Sequence, residues 1–584
     1  MKVEWDFTHL YASDKDWNED FENLKNKIDN LNHLLDDCLN TSDSLFHFIS
    51  LKLECDELVE KLYCYAKRHL DVNSTLQDYK KKLEDALSLY SEIQKVNAIF
   101  ENKIIQNNKV VLEYLNENQF KDYVRYFFSI LRRNQHIALN EEAQANHDLI
   151  ESKLKQEYQD MFQSNISFEN VNIDGENKIL NRNTYNDLII NSRQSNRKLV
   201  FDTYTKAYQN CNQKLTDIYL KKLKNDITLA QKEKYPTLLS KKLFELELPD
   251  DIVDVLIKKI NDHLNIMHDY VDFKKEISGL EEYHIYDTNV SLCDIPKIEY
   301  SLKETLSIIK NSLSLLGEDY IKVIDQMFQE GWVDVYPKEN KRTMSFTCIS
   351  YVGVPYVLIN YNASVSSART LAHEIGHALH VYYSKTNNAF QNFEFSYFLT
   401  EIASKVNEIL VNEYMIQCCD NEQEKIYIMN NIINGIGNSL FGQVMLTEFE
   451  HTVIHKLGKE GNLTADNLNE LYMELSKKYN GMTFSYDDNL KYGWSKIPHF
   501  IMQDSYYLYQ YSIGMAIANN IAYRILDKEE EIVEKYKKFL SAGNSVSISE
   551  ALSYLDINLE NGTYIDQAIE NLDNKIKTLK KIVK

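Results

Sequence analysis

Leu371-Ala372-His373-Glu374-Ile375-Gly376-His377-Ala378-Leu379 predicts a buried helix built around a metal ion. On a helix, residues four apart share a face, so the His373 and His377 imidazoles can grip one ion. Glu374 sits beside them, placed to take a proton from an attacking water. The apolar flanks suit a buried helix, and no proline interrupts the segment.

Two histidines and a base do not complete such a centre, because catalytic zinc usually has three protein ligands and one open position. The metzincin pattern wants Gly at 380 and His at 383, whereas this chain has His380 and Tyr383. That class is excluded, and a carboxylate from a following helix remains. Glu394, Glu401 and Glu408 recur every seven residues, so helical spacing alone leaves all three open. His380 also lies on the ligand face, where it reads as a core or supporting histidine, since a fourth protein ligand would close the open position.

The pairing of His373-Glu374-Ile375-Gly376-His377-Ala378-Leu379-His380 with Glu401-Ile402-Ala403-Ser404-Lys405-Val406-Asn407-Glu408 resembles the oligoendopeptidase F branch of the M3, thimet-oligopeptidase-like zinc peptidases. Further segments resemble the family in the same order: Trp5 to Tyr11, Pro355 to Tyr361, the block Tyr506 to Tyr511 with Gly514, and Phe539 to Ser545. Asp287-Thr288-Asn289 departs from it, where relatives often carry a proline-containing turn.

The resemblance implies one Zn2+ per chain held by His373, His377 and Glu401, with Glu408 fixing a ligand imidazole from behind. It implies a mainly α metallopeptidase fold with a small β-sheet beside the motif helix and an enclosed substrate channel. Residues 1–190 would form an N-terminal helical domain roofing that channel, and 191–584 the catalytic domain. The implied activity is hydrolysis of internal bonds of short, unstructured peptides, with Glu374 as general base and acid. Charge that develops on the substrate oxygen needs donors besides the metal. The family draws these from its C-terminal part, and the matching block here points to His499 and Tyr509, then Tyr506. Helical spacing would set Tyr506 and Tyr509 on one side and Tyr507 and Tyr511 on another. Two rivals are a gluzincin removing C-terminal dipeptides and a helical scaffold whose motif is not catalytic.

Bulk properties are those of a large globular protein. The 584 residues are 44% hydrophobic and 26% charged. A net charge of −22 argues against nucleic-acid binding and could bias a binding cavity towards cationic peptides. The N-terminus lacks an apolar signal core and no run approaches membrane-spanning length, so a cytoplasmic location is the expectation. Nothing in the sequence specifies an oligomeric state. Eight scattered cysteines without a CxxC pair are expected to be reduced and mostly buried.

Only 6 prolines and 16 glycines punctuate the chain, which favours long helices. Leu51, Cys55, Leu58, Leu62 and Tyr65 mark one apolar stripe, and Asn172 to Asn177 suits a hairpin. Helix-rich sequence returns from Asn183 to Phe244. Strands are expected at Val333 to Tyr336, Met344 to Ser350 and Tyr356 to Asn360, with Gly353 in the turn before the last. An edge of that sheet could hold an extended peptide by main-chain hydrogen bonds.

Overall fold

The computed structural model describes residues 1–133, 141–164, 166–191, 193–293, 296 and 298–583. Helix accounts for 72% of the residues, so the mainly α expectation holds. The chain divides into two compact units, each discontinuous in sequence. One comprises Met1–His136, Ile298–Met415 and Ile521–Ile557, and the other Ile137–Lys297, Ile416–Asn520 and Asn558–Lys584. The sequence-based division at 190 follows chain order, whereas these units follow tertiary packing.

In the first unit, helices α1 (Asp14–Leu34), α2 (Ser42–Val72) and α3 (Gln77–Gln106) pack on one another. Thr41 starts α2, its hydroxyl accepting the Ser44 amide at 3.1 Å and satisfying one otherwise unpaired N–H. The stripe on α2 is core: Leu51, Cys55, Leu62 and Tyr65 are buried and Leu58 is partly so. Phe48 of α2 meets Phe100 of α3 at 4.6 Å between ring centroids. Full burial of each large apolar side chain stabilises by roughly 1.5–3 kcal/mol.

The three expected strands form one sheet, each trimmed to two residues: β3 (Val333–Asp334), β4 (Phe346–Thr347) and β5 (Val357–Leu358). (The two earlier strands, β1 at Val171–Ile173 and β2 at Glu176–Lys178, form a hairpin in the second unit.) The order is β3-β5-β4, with β5 parallel to β3 and antiparallel to β4. Pro337, which has no N–H to donate, helps to end β3. Lys341, fully buried, then ties the chain back, its ammonium donating to Asp334 Oδ1 at 2.7 Å and to the Ile359 carbonyl at 2.6 Å. The Trp5 indole donates to the Val357 carbonyl at 2.8 Å, which anchors the N-terminus on the central strand.

Register gives β4 an open side. Thr347 faces Val357, and the next pair is joined by the Cys348 amide donating to the Tyr356 carbonyl at 2.8 Å. Bonded and non-bonded pairs alternate in an antiparallel ladder. The Thr347 amide and carbonyl therefore point away from β5, towards the free edge.

In the second unit, a helix of 39 residues spans Gln194–Lys232, as the helix-rich sequence after Asn183 predicts. The expected hairpin is present as β1 (Val171–Ile173) and β2 (Glu176–Lys178), turned by Asp174 and Gly175 at φ of 54° and 90°. Asp287 is fully buried and accepts the Arg197 Nε at 2.8 Å, so the departure from the family pattern sits in an ion pair.

No disulfide joins any of the eight cysteines; four are buried, three are partly exposed and Cys418 is exposed. Fewer are buried than expected. Among the described residues, no helix is long and apolar enough to cross a membrane.

Candidate metal centre

The helix Val365–Asn387 carries His373, Glu374 and His377, and the helix Tyr397–Gln417 carries Glu401 and Glu408. Ser364 caps the first, accepting the Ser367 amide at 3.1 Å. Four residues apart on one helix, the two imidazoles bring their Nε2 atoms to 3.2 Å. Glu401 closes the triangle, with one oxygen 3.6 Å from His373 Nε2 and the other 3.9 Å from His377 Nε2.

These separations fit a shared ion. Ligand atoms about 2.1 Å from a tetrahedral metal lie about 3.4 Å from one another. Two nitrogens and a carboxylate oxygen also make a donor set that suits zinc. Glu394, the other open candidate, precedes the second helix in extended backbone and is outside this cluster.

Gly376 makes the triangle possible. A Cβ built there would lie 2.6 Å from Ser404 Cα and 2.7 Å from the Ala403 carbonyl oxygen. Only a residue without a side chain lets the Glu401 helix come this close to the ligand helix. Ser404 also bonds the Glu401 carboxylate, its hydroxyl 3.2 Å from Oε2.

Glu408 stands behind His373, with Oε2 3.5 Å from its Nδ1. Arg369 reaches Glu408 Oε1 at 2.6 Å and Lys405 reaches Oε2 at 2.9 Å. Burial alone would raise this carboxyl, but the His373 bond and the Lys405 and Arg369 charges outweigh it and hold it well below its ordinary value. A carboxylate there selects the His373 tautomer that leaves Nε2 free for a metal.

Glu374 is buried, and Thr347 on β4 lies against it, with Oγ1 2.7 Å from Oε2. Burial raises the Glu374 carboxyl above its usual range, while the His373 charge and the Thr347 bond oppose this. Burial also pushes His377 down to about 4, which keeps its imidazole neutral as a ligand requires. His380 is 1% exposed, stacks on Phe395 at 3.6 Å and does not join the cluster. Gly353 takes φ of 65°, and a Cβ there would meet Leu10 at 2.7 Å, so it serves the turn before β5.

His499, Tyr506 and Tyr509 belong to the second unit. The expected helix through this block begins only at Tyr509, because Tyr506 adopts a left-handed φ of 62° that a helix cannot contain. Tyr506 is buried and held twice: its amide donates to Glu450 at 3.1 Å and its hydroxyl lies 3.2 Å from His451 Nδ1. His499 opens a short helix and faces the Tyr507 and Tyr511 rings. Tyr509 is fully buried, and its hydroxyl has no hydrogen-bond partner among the described residues.

A second group among the described residues, His147, Asp148 and Glu151, has metal-ligand chemistry. Protein groups already fill it. His147 Nε2 bonds Asp226 at 2.9 Å, Lys222 neutralises Asp226 at 2.9 Å, and Lys155 holds Glu151 at 2.7 Å.

Sequence reasoning missed Thr347, Gly376, Arg369 and Lys405. Only Gly376 left a signal, as a glycine inside a helix without a turn to explain it.

Comparison with known proteins agrees with this geometry. The sequence pattern of peptidase family M3 matches residues 188–571. The chain is 27% identical to the oligopeptidase PepF of Bacillus subtilis (strain 168), over 99% of this chain and 87% of that protein. It is 27% identical to the group B oligopeptidase PepB of Streptococcus agalactiae serotype III (strain NEM316), over 100% of this chain and 97% of that one. The solved oligoendopeptidase-F from Enterococcus faecium superposes with a TM-score of 0.74 at 23% identity, covering 98% of this chain and 99% of that one.

Proposed function

We propose that this chain, which belongs to peptidase family M3 and is a metallopeptidase, cuts internal bonds of short, unstructured peptides in the cytoplasm with one zinc ion held by His373, His377 and Glu401. The observation that carries the reading is the triangle of donors at 3.2, 3.6 and 3.9 Å beside a buried carboxyl. Zinc bound there would supply Lewis-acid polarisation of the scissile carbonyl and acidify the attacking water.

The chain's own residues do the rest. Glu374, raised by burial, takes the water's proton and returns it to the departing amine. Glu408 with Arg369 and Lys405 keeps His373 oriented. The open side of β4 pairs with the substrate main chain, a grip that hardly depends on side chains. We assign Tyr509 and His499 to the charge on the substrate oxygen, with Tyr506 third. What favours Tyr509 is a buried hydroxyl with no partner of its own. The Tyr506 hydroxyl and amide are already engaged.

Glu374→Gln should keep one zinc per chain and lose hydrolysis of blocked peptides by at least about 10³-fold, as loss of a general base with a metal-activated water does. Chelation should abolish cleavage and zinc restore it, with mass spectrometry placing cuts inside the peptide. Full activity in Glu374→Gln, or cuts confined to C-terminal dipeptides, overturns the reading. A folded globular protein cut as fast as a short peptide overturns the substrate restriction.

A further inference from the structure

The unit that holds the metal centre also contains a cavity of about 790 Å³ that the centre does not explain. Helices α2 and α3 form one wall. The segment between the two ligand helices, with Phe390, Phe393 and Glu394, forms another, and Ile349 follows β4 into it. Leu87, Tyr90 and Ile349 stand 44%, 48% and 37% exposed and line this one cavity together, so they form a shared apolar wall rather than scattered surface positions.

Its charge is lopsided. Asp56, Glu60 and Glu394 line it against a single cation, Lys52, which is tied to Asp56 at 2.6 Å. Glu60 accepts the Tyr351 amide at 3.1 Å through Oε1, and the Ser350 hydroxyl beside it is the other hydrogen-bonding neighbour of the carboxyl. Glu394 is exposed and has no ion pair among the described residues. Lys385, the other lysine near Glu60, gives its ammonium to the Gly353 carbonyl. Burial pushes Glu60 up to about 7 against the Ser350 and Tyr351 hydrogen bonds, with Cys348 and then Glu394 adding to the rise, and no cation among the described residues lies close enough to reverse it.

Position links the cavity to catalysis. Ile349 lies two residues beyond Thr347, which touches Glu374. Two residues of extended chain span about 7 Å and return to the same face. A peptide laid along the open side of β4 would present alternate side chains to that face.

We propose that this cavity is a substrate subsite that takes an arginine or lysine side chain, its apolar stem between the aromatic rings and its cationic head at Glu394 and Glu60. Long cationic side chains have this division of apolar stem and charged tip. Tyrosine and phenylalanine faces attract such heads, and a buried carboxylate such as Glu60 needs one. The assignment rests on the peptidase reading.

The test uses zinc-loaded protein and internally quenched peptides that carry Arg, Met or Glu at one scanned position. At one position relative to the cleaved bond, Arg should exceed Met in kcat/KM by about tenfold, the effect of one well-placed cation. That ratio should fall several-fold in Glu394→Gln and in Glu60→Gln, and Glu394→Lys should favour Glu over Arg. An Arg-to-Met ratio that is unchanged in all three variants overturns the subsite. Should the wild type cut none of the peptides, the peptidase reading fails by itself. Calorimetric binding of the same peptides to the zinc-loaded Glu374→Gln protein then decides the subsite, with tenfold tighter Arg binding expected and equal affinity overturning it.

Discussion

Thr347 Oγ1 lies 2.7 Å from Glu374 Oε2 and 2.9 Å from the same residue's carbonyl oxygen. One hydroxyl thus holds the proposed general base from a strand whose own amide and carbonyl face the open edge. On the proposed reading, substrate grip and base orientation would meet in a single residue. Thr347→Val should lower kcat about tenfold, the typical effect of losing a hydrogen bond to a charged group, with little change in KM. Thr347→Ser keeps the hydroxyl and should restore most of the rate. Steady-state kinetics of the two variants checks this.

Gly376→Ala places a methyl group against the Ser404 backbone. Backbone cannot swing aside as a side chain can, so the Glu401 helix must shift. Overpacking of this kind costs roughly 1–3 kcal/mol in stability. Metal affinity should fall more than tenfold, because 1 Å of displacement spoils a ligand set. Chelator competition measures the affinity, and a thermal melt confirms that the chain still folds.

Removing Glu408 leaves His373 without its partner behind. Glu408→Ala should weaken zinc binding about 10- to 100-fold. Arg369→Ala should act in the same direction by a smaller amount, since Lys405 still neutralises the carboxylate at 2.9 Å. Zinc titration of both variants orders them.

Glu450, 2% exposed in the second unit, gives stability a pH dependence. Burial chiefly raises it to about 7, against the Lys222 charge and the Tyr506 amide bond. A raised carboxyl binds its proton more tightly in the folded state than in the unfolded one. Its contribution is therefore complete below the ordinary value of 4.5 and is lost as pH rises through about 7. The span is at most about 3 kcal/mol. Glu450→Gln should flatten the corresponding fall in melting temperature between pH 5 and 8, and an unchanged slope would assign it to other groups.

The ligand helix was legible because four-residue spacing is a local rule: His373 and His377 must share a face wherever the helix lies. Choosing among Glu394, Glu401 and Glu408 was not a local matter. Helical spacing presumes one continuous helix, yet Glu394 falls before the second helix begins. The sheet was found in place but drawn too long, since strand signals in Met344 to Ser350 do not say where partners stop. Thr347 and Gly376 act on residues 27 and 28 positions away, a separation that no periodicity reports. Tyr506 departs from the expected helix for a related reason: a tyrosine carries no mark of the left-handed backbone its surroundings impose.

The strand beside the base has only two paired residues. A guest chain docking there gains few rungs, too few to lock it at a single offset against the reacting atoms. Sliding by two residues keeps the same faces in place and loses little. One oligopeptide should therefore yield nested fragments with staggered ends rather than a single pair of products.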